Sequence, residues 1–253
     1  MENTTQKLSE CTTEKNSSSP FWIVIGDIHD DIARIGEIPG IKEAEAVIVS
    51  GDLTVCGGIK QAAKVIDAIA EYNNNILAQI GNMDRGEVTT WLEEKKRNIH
   101  RKSVKLTPKI SLMGLGCSSF TPFGTPSEFP DSRLAEWLEE TEHNAKGYQQ
   151  LILISHMPPI DTVCDKIQDN IHVGSNAVKE FIQEYQPALC ICGHIHESSG
   201  VDRIGKTLII NPGAFASGGY VVFSIKNQEI SAELCYLKYQ QDFSLPVSTK
   251  IKE

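Results

Sequence analysis

The chain has 253 residues, carries 24 Lys and Arg against 33 Asp and Glu for a formal charge of −9, and is 40% hydrophobic and 23% charged. At this length and composition roughly 73% of the unfolded surface is expected to be buried on folding, so neither a disulfide nor a metal is required merely to hold a core together. The acidic balance works against a long nucleic acid or an anionic membrane as partner, since phosphate neutralisation supplies most of that affinity, yet it leaves room for a small anion in a locally positive cleft.

Residues 1–20 are Ser/Thr-rich and lack an apolar run, so they read as a disordered leader and as neither a signal nor a transit peptide. A single domain is expected over 21–240, with 241–253 as a tail. The first strand is the apolar run Phe21–Ile25, and runs of the same kind recur at 46–49, 75–80, 151–154 and 189–192. Continuous rather than alternating runs are those of strands covered on both faces. Between the second and third, Ile59, Ala62, Ala63, Ile66, Ile69 and Ala70 share one helical face, which makes a β-α-β unit. Further helices are expected at about 87–98, 132–145 and 176–185, and a long Ser/Thr/Pro/Phe-rich loop between Cys117 and Pro130. Towards the C-terminus the pattern changes to strands at 207–210, 220–225 and 229–239, the last two joined as an antiparallel pair. No stretch approaches the roughly 20 apolar residues of a membrane span. Seven cysteines (Cys11, Cys56, Cys117, Cys164, Cys190, Cys192 and Cys235) show no zinc-ribbon spacing, and Cys190 and Cys192 read as buried strand residues. A reduced, cytoplasmic setting is expected.

The chemistry lies just past each apolar run. The first ends in Gly26-Asp27-Ile28-His29, the second in Ser50-Gly51-Asp52, and the third in Gly81-Asn82-Met83-Asp84. The run at 151–154 ends in Ser155-His156, and that at 189–192 in Gly193-His194-Ile195-His196. Loops converge beyond the carboxyl ends of strands while the sheet stays rigid, so these side chains are expected at one edge. Oxygen and imidazole donors without thiolate suit Mn, Fe, Zn, Ni or Co, and there are enough of them for two ions sharing a carboxylate.

This ordered set resembles the calcineurin-like metallophosphoesterase superfamily, in particular its small bacterial and archaeal single-domain members, over about residues 21–225. The resemblance implies a four-layer αββα β-sandwich with helices on both faces, α/β in class, and a dimetal site at strand C-terminal ends. It implies that Asp27, His29 and His196 hold one divalent transition ion, that Asp52 bridges, and that Asn82, His156 and His194 hold the second. Asn82, Asp84 and His194 are the expected catalytic residues, and direct hydrolysis of a small or nucleotide-like phosphodiester without a covalent intermediate is the expected reaction. A phosphomonoesterase of the same fold and a non-catalytic metal-binding scaffold, like the retromer subunit with this fold, stand as alternatives. The departure is Met83, where the family's motif has a His that protonates the leaving oxygen; Met has no proton to give. Thr54, Arg85, His172 and the loop bearing Phe120, Phe123 and Phe129 are candidates to grip a substrate but read first as a turn residue, a surface cation, a loop His and a hydrophobic plug. Asn211-Pro212-Gly213 reads as a strand-ending turn, and His100 and His143 as solvated residues in charged helical surroundings.

Overall fold

In this computed structural model the described residues are 19–145 and 147–238, so that residues 1–18 of the expected leader, all of the expected tail, Cys11 and Tyr239 lie outside them. Strands β1 (Phe21–Ile25), β2 (Ala46–Val49) and β3 (Ile76–Ala78) are parallel neighbours in a five-stranded sheet. The antiparallel hairpin of β10 (Gly219–Lys226) and β11 (Glu229–Tyr236) extends it beside β1, as expected from the C-terminal pattern. The second sheet has six strands, in spatial order β4 (Ser103–Lys105), β5 (Ile110–Leu115), β6 (Gln150–Ser155), β7 (Leu189–Ile191), β9 (Thr207–Asn211) and β8 (Gly200–Ile204). Its four central strands are parallel and its two edges antiparallel.

The continuous apolar runs now have their explanation. Trp22 and Val24 on β1 pack in one core with Ile48, Ile152, Ile191 and Phe223, which joins the two sheets face to face. The alternate residues Ile23 and Ile25 belong to the other core, with Val47, Leu153, Ile66 and Phe181, which joins the sheets to their helices. A strand that buries both faces has no position for a polar side chain. Helices α1 (Ile59–Ala70) and α2 (Glu87–Glu94) pack together, α1 also meeting β3, while α3 (Asp131–Asn144) and α4 (Asn176–Tyr185) pack together, α3 meeting β5 and α4 meeting β8. The result is the expected αββα arrangement. Ser175 caps α4 by accepting from Val178 N at 3.1 Å, and Asp131 accepts from Ala177 N at 3.0 Å, so the first turns of α3 and α4 are tied. Inside the sandwich, Gln79 Nε2 lies 3.1 Å from the Ser50 carbonyl, 3.0 Å from that of Leu115 and 3.2 Å from that of Ile154, linking both sheets near their strand ends.

Five expectations need correction. The second helix stops at Glu94 rather than near 98, because Lys96 takes a left-handed φ of 57°. Strands β4, β5 and β8 add to the expected set: Ser111 and Gly114 interrupt the apolar run of β5, and edge strand β8 alternates between half-buried and exposed positions. The final strand ends at Tyr236, and β3 spans only Ile76–Ala78. His100 is buried, not solvated: its Nδ1 accepts from Gly116 N at 2.9 Å and its ring meets Trp137 edge-on at 5.1 Å. Among the described residues no helix is long and apolar enough to cross a membrane.

Candidate metal centre and active site

Each expected site residue sits past the end of its strand, four of them on unusual backbone. Asp27, His29, Asp52 and His194 all have positive φ (49°, 49°, 50° and 69°), a conformation non-glycine residues seldom adopt and which concentrates at functional sites. The surroundings hold it. Ile28 N and His29 N donate to the Asp52 carbonyl at 2.8 and 3.0 Å, and Asp27 N donates to the Gly51 carbonyl at 3.0 Å, fastening the β1 loop to the β2 loop. His194 N donates to Asp27 Oδ1 and Oδ2, both at 3.1 Å, and Gly193 N donates to the His156 carbonyl at 3.1 Å.

Two glycines are demanded by close approach. A Cβ on Gly81 would lie 2.1 Å from Asp52 Oδ1, and one on Gly193 would lie 2.3 Å from Asp27 Oδ2. Glycine there lets the two carboxylates turn inward against neighbouring backbone.

The side chains gather in two groups, Asp27/His29/His196 and Asp52/His156/His194. In the first, the Nε2 atoms of His29 and His196 stand 3.1 Å apart, and Asp27 Oδ1 lies 3.3 Å from His196 Nε2 and 4.0 Å from His29 Nε2. In the second, Asn82 Oδ1 lies 2.9 Å from His156 Nε2 and 2.8 Å from His194 Nδ1. Asp52 Oδ2 faces both groups, 3.7 Å from His29 Nε2 and 3.5 Å from His156 Nε2. Two atoms bonded to one ion at about 2.1 Å, at tetrahedral or octahedral angles, stand about 3.0–3.4 Å apart. The observed separations of 2.8–4.0 Å straddle that interval, and the donors are imidazole and oxygen throughout, so the residues present fit a pair of divalent ions.

The electrostatics agree with that fit. Two carboxylates buried this deeply need positive neighbours. Burial would raise the Asp27 carboxyl, but its hydrogen bond with His196 and the charges of His156, His196 and His29 hold it below the usual carboxylate range. Burial would lower His156, yet Asp52, with Asp27 and Asp84 behind it, pushes it up to about 9. The hydrogen bond to Asp27 also raises His196, whereas burial and the neighbouring His156 charge take His194 down to about 4. Ligation requires neutral imidazoles, so ion binding at these positions expels protons.

Asp84, expected among the catalytic residues, is held by backbone and hydroxyl donors. Its buried carboxylate accepts from Leu53 N, Thr54 N, Thr54 Oγ1 and Gly81 N at 3.0, 2.8, 2.8 and 3.0 Å, binding the β2 loop to the β3 loop. Burial and the Asp52 charge raise its pKa to about 6. Thr54 is consumed in the same knot, and Arg85 Nε donates to the Cys56 carbonyl at 3.1 Å. The long loop after β5 is fastened to the site: Asn82 Nδ2 donates to Thr125 Oγ1 at 2.8 Å, and Ser127 N donates to the Asn82 carbonyl at 2.9 Å. Phe120 and Phe123 on that loop are exposed, and Phe129 packs on Trp137. Thr125 escapes a reading of the sequence because nothing in its local pattern reports the distant Asn82. His172 is paired with Asp165, which the sequence also hides; the one local sign is the capping spacing Thr162-x-x-Asp165.

A two-sheet sandwich whose strand ends bring these two donor groups together defines a metallophosphoesterase of the calcineurin type. A family model described as "Metallophosphoesterase, calcineurin superfamily" matches residues 128–235. The uncharacterized protein MJ1162 of Methanocaldococcus jannaschii is 33% identical over 216 residues, which span 81% of this chain and 92% of that protein. Among solved structures, TT1561 of Thermus thermophilus aligns with a TM-score of 0.66 at 15% identity, over 87% of this chain and all of that one. The purple acid phosphatase PPD1 of yellow lupin seeds aligns with a TM-score of 0.53 at 11% identity, over 87% of this chain and 52% of that one. This chain belongs to the calcineurin superfamily of metallophosphoesterases, phosphoric ester hydrolases that use dinuclear divalent metal centres.

Proposed function

We propose that the protein is a cytoplasmic phosphodiesterase that hydrolyses a small or nucleotide-like phosphodiester with the help of two divalent transition ions. The observation that carries this reading is the convergence of both donor groups on the single oxygen Asp52 Oδ2. Asp27, His29 and His196 would hold one ion and Asn82, His156 and His194 the other, with Asp52 shared. When bound, the ions supply Lewis acidity toward a phosphoryl oxygen and lower the pKa of water. Against their combined charge of about +4, Asp27 and Asp52 subtract two, which leaves a pocket attractive to phosphate within an acidic protein. Asn82 and His194 would also contact a phosphoryl oxygen. The four-donor anchorage of Asp84 makes it the residue that positions the loops of Asp52 and Asn82.

The test is metal analysis after loading with Mn, Fe, Zn, Ni or Co, followed by rates on bis(p-nitrophenyl) and p-nitrophenyl phosphate. About two ions per chain and faster diester hydrolysis are expected, and Asp52→Ala should lose both an ion and turnover. A strong monoester preference would overturn the diester assignment in favour of a phosphomonoesterase. Two bound ions with no hydrolysis of either ester would point instead to a metal-binding scaffold.

A further inference from the structure

The loop from His156 to Ser175 carries a group for which the metal centre has no use. Asp165 is completely buried, and His172 Nδ1 lies 2.7 Å from its Oδ1. The carboxylate has no need of that imidazole. Oδ1 already accepts from Thr162 N at 2.9 Å, and Oδ2 accepts from Gly174 N at 2.9 Å and Asp161 N at 3.3 Å. A buried acid satisfied by backbone that also grips a histidine is an arrangement for fixing the ring. With Nδ1 committed, Nε2 is the free ring nitrogen, on a side chain that is 27% exposed.

The position of this pair is set by five contacts. Ser175 N donates to the Pro158 carbonyl at 2.8 Å, which brings the His172 end of the loop back to within two residues of His156. Lys166 and His172 form an isolated bridge, and Ser198, two residues past His196, donates to the Lys166 carbonyl. Asn211 Nδ2 donates both to the Cys164 carbonyl at 3.1 Å and to the Ile195 carbonyl at 2.9 Å, between the two site histidines His194 and His196. The Asp165–His172 pair is thus stitched to the segments that follow His156 and that carry His194 and His196.

The site lacks a proton donor where Met83 stands. We propose that His172, oriented by Asp165, is the general acid of this enzyme and protonates the departing oxygen of the substrate. This rests on the phosphoesterase reading above. In the step, the oxygen of a water forms a bond to phosphorus and sheds a proton to solvent. The P–O bond to the leaving group breaks, its electron pair stays on the leaving oxygen, and that oxygen takes the proton from His172 Nε2. The neutral imidazole regains a proton from solvent. The substrates that need this residue are diesters with alkoxide leaving groups, such as a sugar hydroxyl, whose oxygen departs poorly as an anion.

The test compares the wild type with His172→Gln on methyl phosphodiesters of graded leaving-group pKa, from nitrophenyl to alkyl. The variant is expected to lose about 10²–10³-fold on alkyl esters and far less on nitrophenyl esters. Free imidazole added to His172→Ala should recover part of the alkyl rate, a result that a loop-stapling role would not produce. An equal loss across the series, or no loss, with two ions still bound, overturns the assignment. Should His172→Gln fail to fold, absence of imidazole rescue in a folded His172→Ala overturns it as well. A wild type inactive on every ester instead overturns the phosphoesterase reading, and is seen before any variant is made.

Discussion

Gly81→Ala tests whether the placement of Asp52, rather than its mere presence, sets activity. The added Cβ would lie 2.1 Å from Asp52 Oδ1 and 2.5 Å from Asp52 N. Ordinary contact begins at about 3.4 Å, so roughly 1 Å of separation must be found. The carboxylate could rotate away, but the backbone nitrogen cannot. The Asp52 carbonyl is held by Ile28 N and His29 N at 2.8 and 3.0 Å, so the β2 and β3 loops must part together. Overpacking of this kind costs about 1–3 kcal/mol of stability. A misplacement of about 1 Å in a catalytic constellation costs about 10²-fold in rate. The variant should therefore remain folded by circular dichroism, melt at a lower temperature, bind fewer than two ions and turn over bis(p-nitrophenyl) phosphate about 10²-fold more slowly. Gly86→Ala is the control: it has helical φ and ψ, and nothing lies within 4 Å of its built Cβ. Wild-type ion content and turnover in Gly81→Ala would refute the argument.

Two other outcomes are expected from the geometry. Met83 N donates to Asp52 Oδ1 at 2.8 Å, which places residue 83 beside the shared carboxylate. Met83→His should accelerate alkyl esters more than nitrophenyl esters, most visibly in a His172→Gln background; equal effects on both would argue against a missing proton donor at 83. Burial, helped by the Arg101 charge, holds His100 at about 4, against 6.5 unfolded. The folded chain refuses a proton that the unfolded chain accepts, so stability is full above pH 6.5 and falls as pH drops toward 4, by about 2 kcal/mol between pH 7 and 5. Urea midpoints of the wild type and His100→Gln at both pH values should show the difference shrinking in the variant, and parallel losses would refute the assignment.

How much of the fold and site is legible in the sequence depends on where each residue's environment originates. Asp27, His29, Asp52, Asn82, His156, His194 and His196 can be placed because each lies past an apolar run after a glycine or a serine, and strand ends of a covered sheet share one edge. His100 is misread because its burial is made by Trp137 and Gly116, neither of which leaves a mark on the sequence around it. Asp84 is legible as a motif member but not as a four-donor anchor, since its partners Leu53 and Thr54 belong to the preceding strand's loop. Edge strand β8 carries no apolar run because its two faces are only partly covered. Asp165 and His172 form a pair only in space, brought together by a loop whose turns are not periodic.

The two donor groups have a further property in how they divide between the sheets. Asp27, His29 and Asp52 lie past β1 and β2 of the first sheet, and His156, His194 and His196 lie past β6 and β7 of the second. Each group therefore takes members from both layers. An ion held by either one would act as a further cross-link between layers already joined there by packing, by Gln79 and by the His194 N–Asp27 hydrogen bonds. Its binding free energy is added to the work of prising the sandwich open, about 2.7 kcal/mol for each site filled at a hundredfold excess over its dissociation constant. Ion loading should then slow amide exchange at the adjoining ends of β1, β2, β6 and β7 while leaving the remote hairpin end at Lys226 and Glu229 almost unchanged. With ions bound, the two donor groups would in this sense be a hasp on the sandwich as well as a place for chemistry.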